Sequence, residues 1–198
     1  MADRYDSHPN EGELLPNKLS LRDRGAIDEE EVAGFLRAEL NEIDALSSDT
    51  VFSLDYLYGL HREALGHLYD FAGRLRTVDM SKSGFMFAAS RFLPQTMSAF
   101  EREYLDALSV REWNDVGPLV EHLAELHAEL LYIHPFREGN GRVIRLFTKL
   151  IFLAKTGDEL DFELITKDNN FVRYVAAVQQ ASRKEYDLMK ALFREMCA

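Results

Sequence analysis

Cysteine is nearly missing from this chain. Cys197 is the only one in 198 residues, so no disulfide can form within the chain, and a reducing cytoplasm is the expected compartment. Basic charge is also in short supply. Against 34 acidic side chains stand 23 lysines and arginines, a net charge of −11 that argues against non-specific binding to nucleic acid or to an anionic membrane. No uninterrupted apolar run reaches the roughly 18 residues of a membrane-spanning helix. Residues 1–16 are polar and lack the apolar centre of a secretory signal, so none is expected. There is no internal repeat and no low-complexity tract.

What is present is a large apolar fraction, 46%, in a chain long enough for one domain with a real core and too short for two ordinary ones. The apolar spacing is mostly helical, so an all-α class is expected. Residues 1–27 hold Pro9, Gly12, Pro16 and Gly25 and read as an irregular lead-in, with Leu15, Leu19 and Leu21 packing it onto the core. Asp28 followed by Glu29, Glu30 and Glu31 reads as a helix cap with an acidic first turn, opening a helix to about residue 46. Ser53 caps the next helix, expected over 54–72, with Leu57, Leu60, Leu65 and Leu68 inward. Further helices are expected over 90–108 with Pro94 in the first turn, over 118–133, over 143–154, from Thr166 or Asp168 to 181, and over 185–196. Phe171, Val172 and Val175 are assigned to the buried side of the penultimate one. Between residues 73 and 93 the helical pattern fails. Val78 and Met80 alternate with polar residues, Lys82-Ser83-Gly84 reads as a turn, and Phe85-Met86-Phe87 follows, which together predict a small β-hairpin.

The chemistry concentrates at residues 134–145, HPFREGNGRVIR. Pro135 disfavours helical geometry at His134, so the stretch is a loop between an amphipathic helix and an almost wholly apolar one. A helix N-terminus offers unpaired N–H groups and the positive end of the macrodipole to an anion. Gly139 and Gly141 let backbone approach a phosphate closely, and Asn140 adds a neutral donor. Arg142 and Arg145, three apart, share a helical face and can grip phosphate oxygens. Glu138 beside an anion site calls for a cation between them, and Mg²⁺ is the natural hard one. His134, with an ordinary pKa of about 6.5, suits proton removal from a hydroxyl. These are the parts of a phosphoryl-transfer site.

This stretch resembles the motif of the Fic-domain family, HPFx(D/E)GNGRxxR, at every fixed position. Leu14-Leu15-Pro16-Asn17-Lys18-Leu19 resembles the lead-in common before such domains, and Arg76-Thr77-Val78 resembles their flap. The resemblance implies a single mainly helical Fic domain over residues 1–198, with the 73–93 hairpin as a flap over the active site that pairs with the target protein. It implies transfer of AMP from ATP to a Ser, Thr or Tyr hydroxyl, with His134 as base and Glu138 as Mg²⁺ ligand. Gly139, Asn140, Gly141 and Arg142 would hold phosphates, and Arg145 the γ-phosphate. Pro135 and Phe136 would shape the loop, with Phe136 pointing into the core. Lys82 and Ser83 are candidates for contact with nucleotide or target, and Asn170 or Tyr174 for the adenine. The related Doc-like kinases carry lysine where this chain has Gly141, which favours AMP transfer. Phosphate transfer, UMP transfer and AMP removal at the same site, or a catalytically silent nucleotide-binding module, are the alternatives.

Members of the family are often silenced by a helix bearing (S/T)xxxE(G/N). Ser7 to Gly12, with Glu11, fits the letters, but Pro9 breaks a helix there; Ser182 to Glu185 carries its acid one residue early, about 100° off around a helix. Inhibition by a separate antitoxin-like protein, as in a toxin–antitoxin pair, or none, is therefore expected. The remaining histidines do not form a metal pair: His122 and His127 are five apart rather than four, and no HExxH occurs.

Overall fold

The computed structural model describes residues 14–111, 113, 115–166 and 168–197. Glu11 and the rest of its segment lie outside them. Two long antiparallel helices form the centre. Helix α5 (Val116–Ile133) is capped by Asp115, whose carboxylate accepts from the Gly117 N–H at 3.1 Å. Helix α6 (Asn140–Thr156) buries Val143, Ile144, Phe147, Leu150 and Ile151, an apolar surface so broad that neighbours must cover it on more than one side. They do. Helices α1 (Arg24–Ala45) and α2 (Leu54–Leu65) pack on α6, while α3 (Leu93–Phe100), α8 (Asp168–Ala181) and α9 (Asp187–Met196) pack on α5. Two short helices, α4 (Asp106–Val110) and α7 (Glu163–Thr166), complete the domain. The expected all-α class with a small hairpin is what the chain forms.

Several boundaries differ from expectation. Helix α1 begins five residues earlier than the acidic run indicates, because Asp23 rather than Asp28 accepts from a first-turn N–H, that of Ala26 at 2.8 Å. The Glu29–Glu31 run therefore falls in the second turn, which turns Glu31 inward. Helix α2 stops at Leu65 instead of running to residue 72. Leu68 and Tyr69 stay buried, but as successive turns bonded back to the Leu65 carbonyl, so the apolar period outlasts the helix. The expected helix over 90–108 is a 3-10 turn, α3, a π-helical segment Glu101–Leu105 and then α4.

Two apolar assignments are reversed. Leu19 is 47% exposed, while Leu14, Leu15 and Leu21 pack on the core; Asn17 folds this segment by bonding both the N–H and the carbonyl of Leu21. Phe171, Val172 and Val175 are 46%, 71% and 39% exposed. Helix α8 buries Tyr174, Ala177 and Ala181 instead, and this face brings the Tyr174 hydroxyl to the buried His127.

The hairpin is shorter than its sequence pattern. Strands β1 (Ser81–Lys82) and β2 (Phe85–Met86) pair antiparallel, Ser81 with Met86 and Lys82 with Phe85. Ser83 and Gly84 form the turn with φ of 49° and 78°, the positive pair that a tight two-residue hairpin loop demands. Among the described residues no helix is long and apolar enough to cross a membrane.

Candidate active site

The loop between α5 and α6 is held from three sides. His134 closes α5 in left-handed geometry, φ 53° and ψ 60°, and its N–H reaches the Leu130 carbonyl at 2.9 Å. The chain then turns through Pro135 and Phe136. Phe136 is fully buried and stacked on His61 with ring centroids 3.9 Å apart, as its expected core-facing role requires. His61 does more than stack. Its Nδ1 accepts from the Gly73 N–H at 2.8 Å, which leaves Nε2 protonated to donate to the Glu138 carbonyl at 3.0 Å. Burial drives this imidazole down to about 4, so it remains neutral.

Asn140 departs from the expected role of phosphate donor at the level of its side chain. It accepts from the Phe136 N–H at 2.8 Å and donates to the Phe136 carbonyl at 2.7 Å, and it is wholly buried. Its amide shapes the loop. Any contribution to an anion comes from its backbone N–H in the first turn of α6. Gly139 supplies the bend into that turn at φ 74°, and a Cβ there would sit 2.8 Å from Leu65 Cδ1. At Gly141 a Cβ would lie 3.1 Å from an Arg145 guanidinium nitrogen, so any side chain at this position crowds that arginine.

Arg142 and Arg145 open onto one cavity of about 350 Å³, lined also by Phe35, Leu146, Lys149 and Phe162 and by the acids Glu39, Asp161 and Glu163. Arg142 is paired with Glu31, a buried carboxylate from α1 whose other oxygen accepts from the Tyr69 hydroxyl at 2.5 Å. Arg145 is backed by a buried chain of polar groups. Thr148 donates to the Ile144 carbonyl and so accepts from His127 Nδ1; His127 Nε2 accepts from the Tyr174 hydroxyl, and the Tyr174 oxygen meets Arg145. Tyr174 is thus committed away from an adenine, and Asn170 donates to the Leu164 carbonyl at 2.8 Å.

Glu138 accepts from the Gly139 N–H at 2.8 Å, and burial together with the nearby Glu31 pushes its carboxyl up. A cation alongside would relieve that repulsion. Among the described residues no group of three or more His, Cys, Asp or Glu is arranged to hold a metal ion. A single carboxylate is nevertheless what Mg²⁺ needs when substrate phosphates and water supply its remaining ligands. The donor set fits on those terms.

His134 lies at the opposite end of the loop, under the flap. Its ring stacks on Phe87 at 3.9 Å, and Nδ1 donates to the Leu131 carbonyl at 3.1 Å, leaving Nε2 as the basic nitrogen. Burial, with the Arg76 and Lys82 charges, lowers this imidazole to about 3. Lys82 is close enough for its charge to bear on His134, while Ser83 sits exposed at the hairpin tip. Helix α8 has ended at Ala181, and Glu185 pairs with Arg183 at 2.9 Å.

The buried histidines make the fold acid-sensitive. His61, His127 and His134 are all neutral when folded, with values depressed below the ordinary 6.5. The unfolded chain binds those three protons as the pH falls through 6.5, so stability is lost from that point downward, by about 1 kcal/mol per histidine for each pH unit. Glu42 and Glu138, with raised values, act in the opposite direction in part of this range. The melting temperature is therefore expected to fall between pH 7 and pH 5.5; an unchanged or rising value over that interval contradicts the burial of these rings.

The model of the Fic/DOC family matches residues 51–152, just over half of the chain. Protein adenylyltransferase VbhT of Bartonella schoenbuchensis is 28% identical over 91% of this chain, which spans only 36% of that relative's length. Probable protein adenylyltransferase Fic of Escherichia coli is 27% identical over 79% of this chain and 76% of its own length. Among solved structures, the BepC protein of Bartonella tribocorum with bound AMPPNP superposes with a TM-score of 0.75 at 22% identity, covering 93% of this chain and 92% of the other.

Proposed function

The chain belongs to the Fic/DOC family, and from that membership we propose that it is a protein adenylyltransferase, moving AMP from ATP to a Ser, Thr or Tyr hydroxyl of a target protein. The observation that carries this reading is the layout of one loop. A neutral imidazole ends one helix, the N-terminus of the next helix lies a few residues on, and two arginines from that second helix share one cavity. The triphosphate lies along the α6 N-terminus, where backbone N–H groups and the Arg142 and Arg145 charges take up its negative charge. His134 Nε2 takes the proton of the target hydroxyl as that oxygen attacks the α-phosphorus and pyrophosphate departs. Mg²⁺ held by Glu138 would supply further charge neutralisation at the phosphates. The hairpin presents strand edges to an extended segment of the target.

Gly141, standing where the Doc-like kinases carry lysine, favours AMP transfer over phosphate transfer. Glu31 and Glu138 both reach Arg142. Our reading of the regulation is inhibition by a separate antitoxin-like protein, or none. The test uses ATP labelled at the α- or γ-phosphate, with Mg²⁺ and a lysate as the source of targets. The α-label is expected on protein and the γ-label is not; transfer of the γ-label would assign phosphate transfer, and preference for UTP would assign UMP transfer.

A further inference from the structure

Arg76 is a buried cation whose four hydrogen-bond acceptors are all main-chain carbonyls. Nε donates to the carbonyl of His134 at 2.7 Å and one terminal nitrogen to that of Val78 at 2.6 Å. The other terminal nitrogen donates to Ala88 and, at 3.2 Å, to Ile133. The backbone N–H of the same residue donates to Pro135 at 2.9 Å. These acceptors belong to three separate features. Ile133 and His134 offer carbonyls at the C-terminal end of α5, where helix carbonyls lack partners and the macrodipole is negative. Pro135 begins the motif loop. Val78 and Ala88 lie on the two sides of the hairpin, outside its paired strands.

This placement bears on two things a hydroxyl transfer depends on. His134 sits in left-handed geometry, which costs a residue with a side chain about 1–2 kcal/mol, and its carbonyl is fixed by Arg76 Nε. The direction of its imidazole follows from that backbone setting. The distance from flap to imidazole is fixed by the same guanidinium, through Ala88 beside the Phe87 ring that stacks on His134. The Ala88 N–H also donates to the Tyr132 carbonyl of α5, a longer bond at 3.3 Å. A planar fork reaches four acceptors in divergent directions; the point charge of a lysine cannot.

We propose that Arg76 is a positioning residue that sets the base and the flap in register, so that a target hydroxyl laid along the hairpin meets His134 Nε2. The proposal rests on His134 being the base of an AMP transfer. Phosphate binding lies at the other end of the loop, so the effect falls on turnover and on the protein acceptor and not on ATP. In Arg76→Met, kcat is expected to drop about 100-fold, within the range of a general base's contribution, while Kd for ATP changes less than threefold. Arg76→Lys recovers part of kcat, and millimolar guanidinium recovers part of it in Arg76→Gly. Hydrogen exchange in the unliganded protein needs no turnover: amides of residues 78–90 and 132–135 exchange faster together in Arg76→Met, while those of α6 do not. Flap exchange as slow as in the parent chain, or a kcat within threefold of it, overturns the proposal. So does loss of ATP binding in step with kcat. A parent chain that transfers no AMP yet shows the paired exchange change refutes the enzymatic reading and leaves the positional one standing.

Discussion

His134→Ala is expected to lower AMP transfer about 1000-fold, within the roughly 10²–10⁴ that a positioned general base contributes, with ATP affinity unchanged. The separation follows from geometry. The imidazole lies under Phe87 at the end of α5, whereas the groups proposed to bind phosphate belong to the first turns of α6. Burial keeps the ring neutral, the form that can accept a proton. Isothermal titration with ATP and an initial-rate assay on the same preparation check both halves. A variant that keeps its rate removes His134 from the mechanism, and one that loses ATP affinity places the imidazole on the nucleotide instead.

Arg142→Met is expected to cost both stability and nucleotide affinity, for separable reasons. Removing the guanidinium leaves Glu31 buried without its cation. Breaking a fully buried pair costs roughly 3–5 kcal/mol; Arg142 keeps 29% of its side chain exposed, so about 2 kcal/mol is expected in urea denaturation. Adding Glu31→Gln removes the uncompensated charge while keeping a partner for the Tyr69 hydroxyl, and more than half the loss returns. Affinity behaves differently. One charge-assisted phosphate contact is worth roughly 1.5–3 kcal/mol, or about 10- to 100-fold in Kd, and Glu31→Gln does not restore it. Full recovery of ATP binding in the double variant would mean that Arg142 serves the fold alone.

How much of this was readable from the chain depends on whether a role is local. The loop between α5 and α6 was legible because glycines, arginines and a helix start stand within a dozen consecutive residues, and local geometry alone sets their order in space. The hairpin was legible from Ser83-Gly84, since few pairs tolerate two positive φ values. The supports of the site were not legible. Glu31 looks like one acid in a run of three, and only the choice of Asp23 over Asp28 as cap decides which of them faces Arg142. His61 shows no partner spacing because its partners, Gly73 and Glu138, are brought to it by tertiary folding. Arg76 enters the sequence reading only as part of the flap resemblance, since carbonyl acceptors leave no trace in a sequence. Asn140 shows the limit of motif reading. The residue was singled out, yet its amide is bound to Phe136 and not turned to a ligand. Helix α8 carries apolar residues on two faces, and a hydrogen bond from Tyr174 to His127 selected the face that its aliphatic residues did not.

The central claim is that this loop places AMP on a protein hydroxyl. Its most direct test is peptide mass spectrometry of lysate proteins after incubation with Mg²⁺ and ATP, alongside the same incubation with His134→Ala. The account predicts a mass gain of AMP less water on a serine, threonine or tyrosine, present with the parent chain and absent with the variant. A gain equal to phosphate, or an AMP gain that persists in His134→Ala, would contradict it.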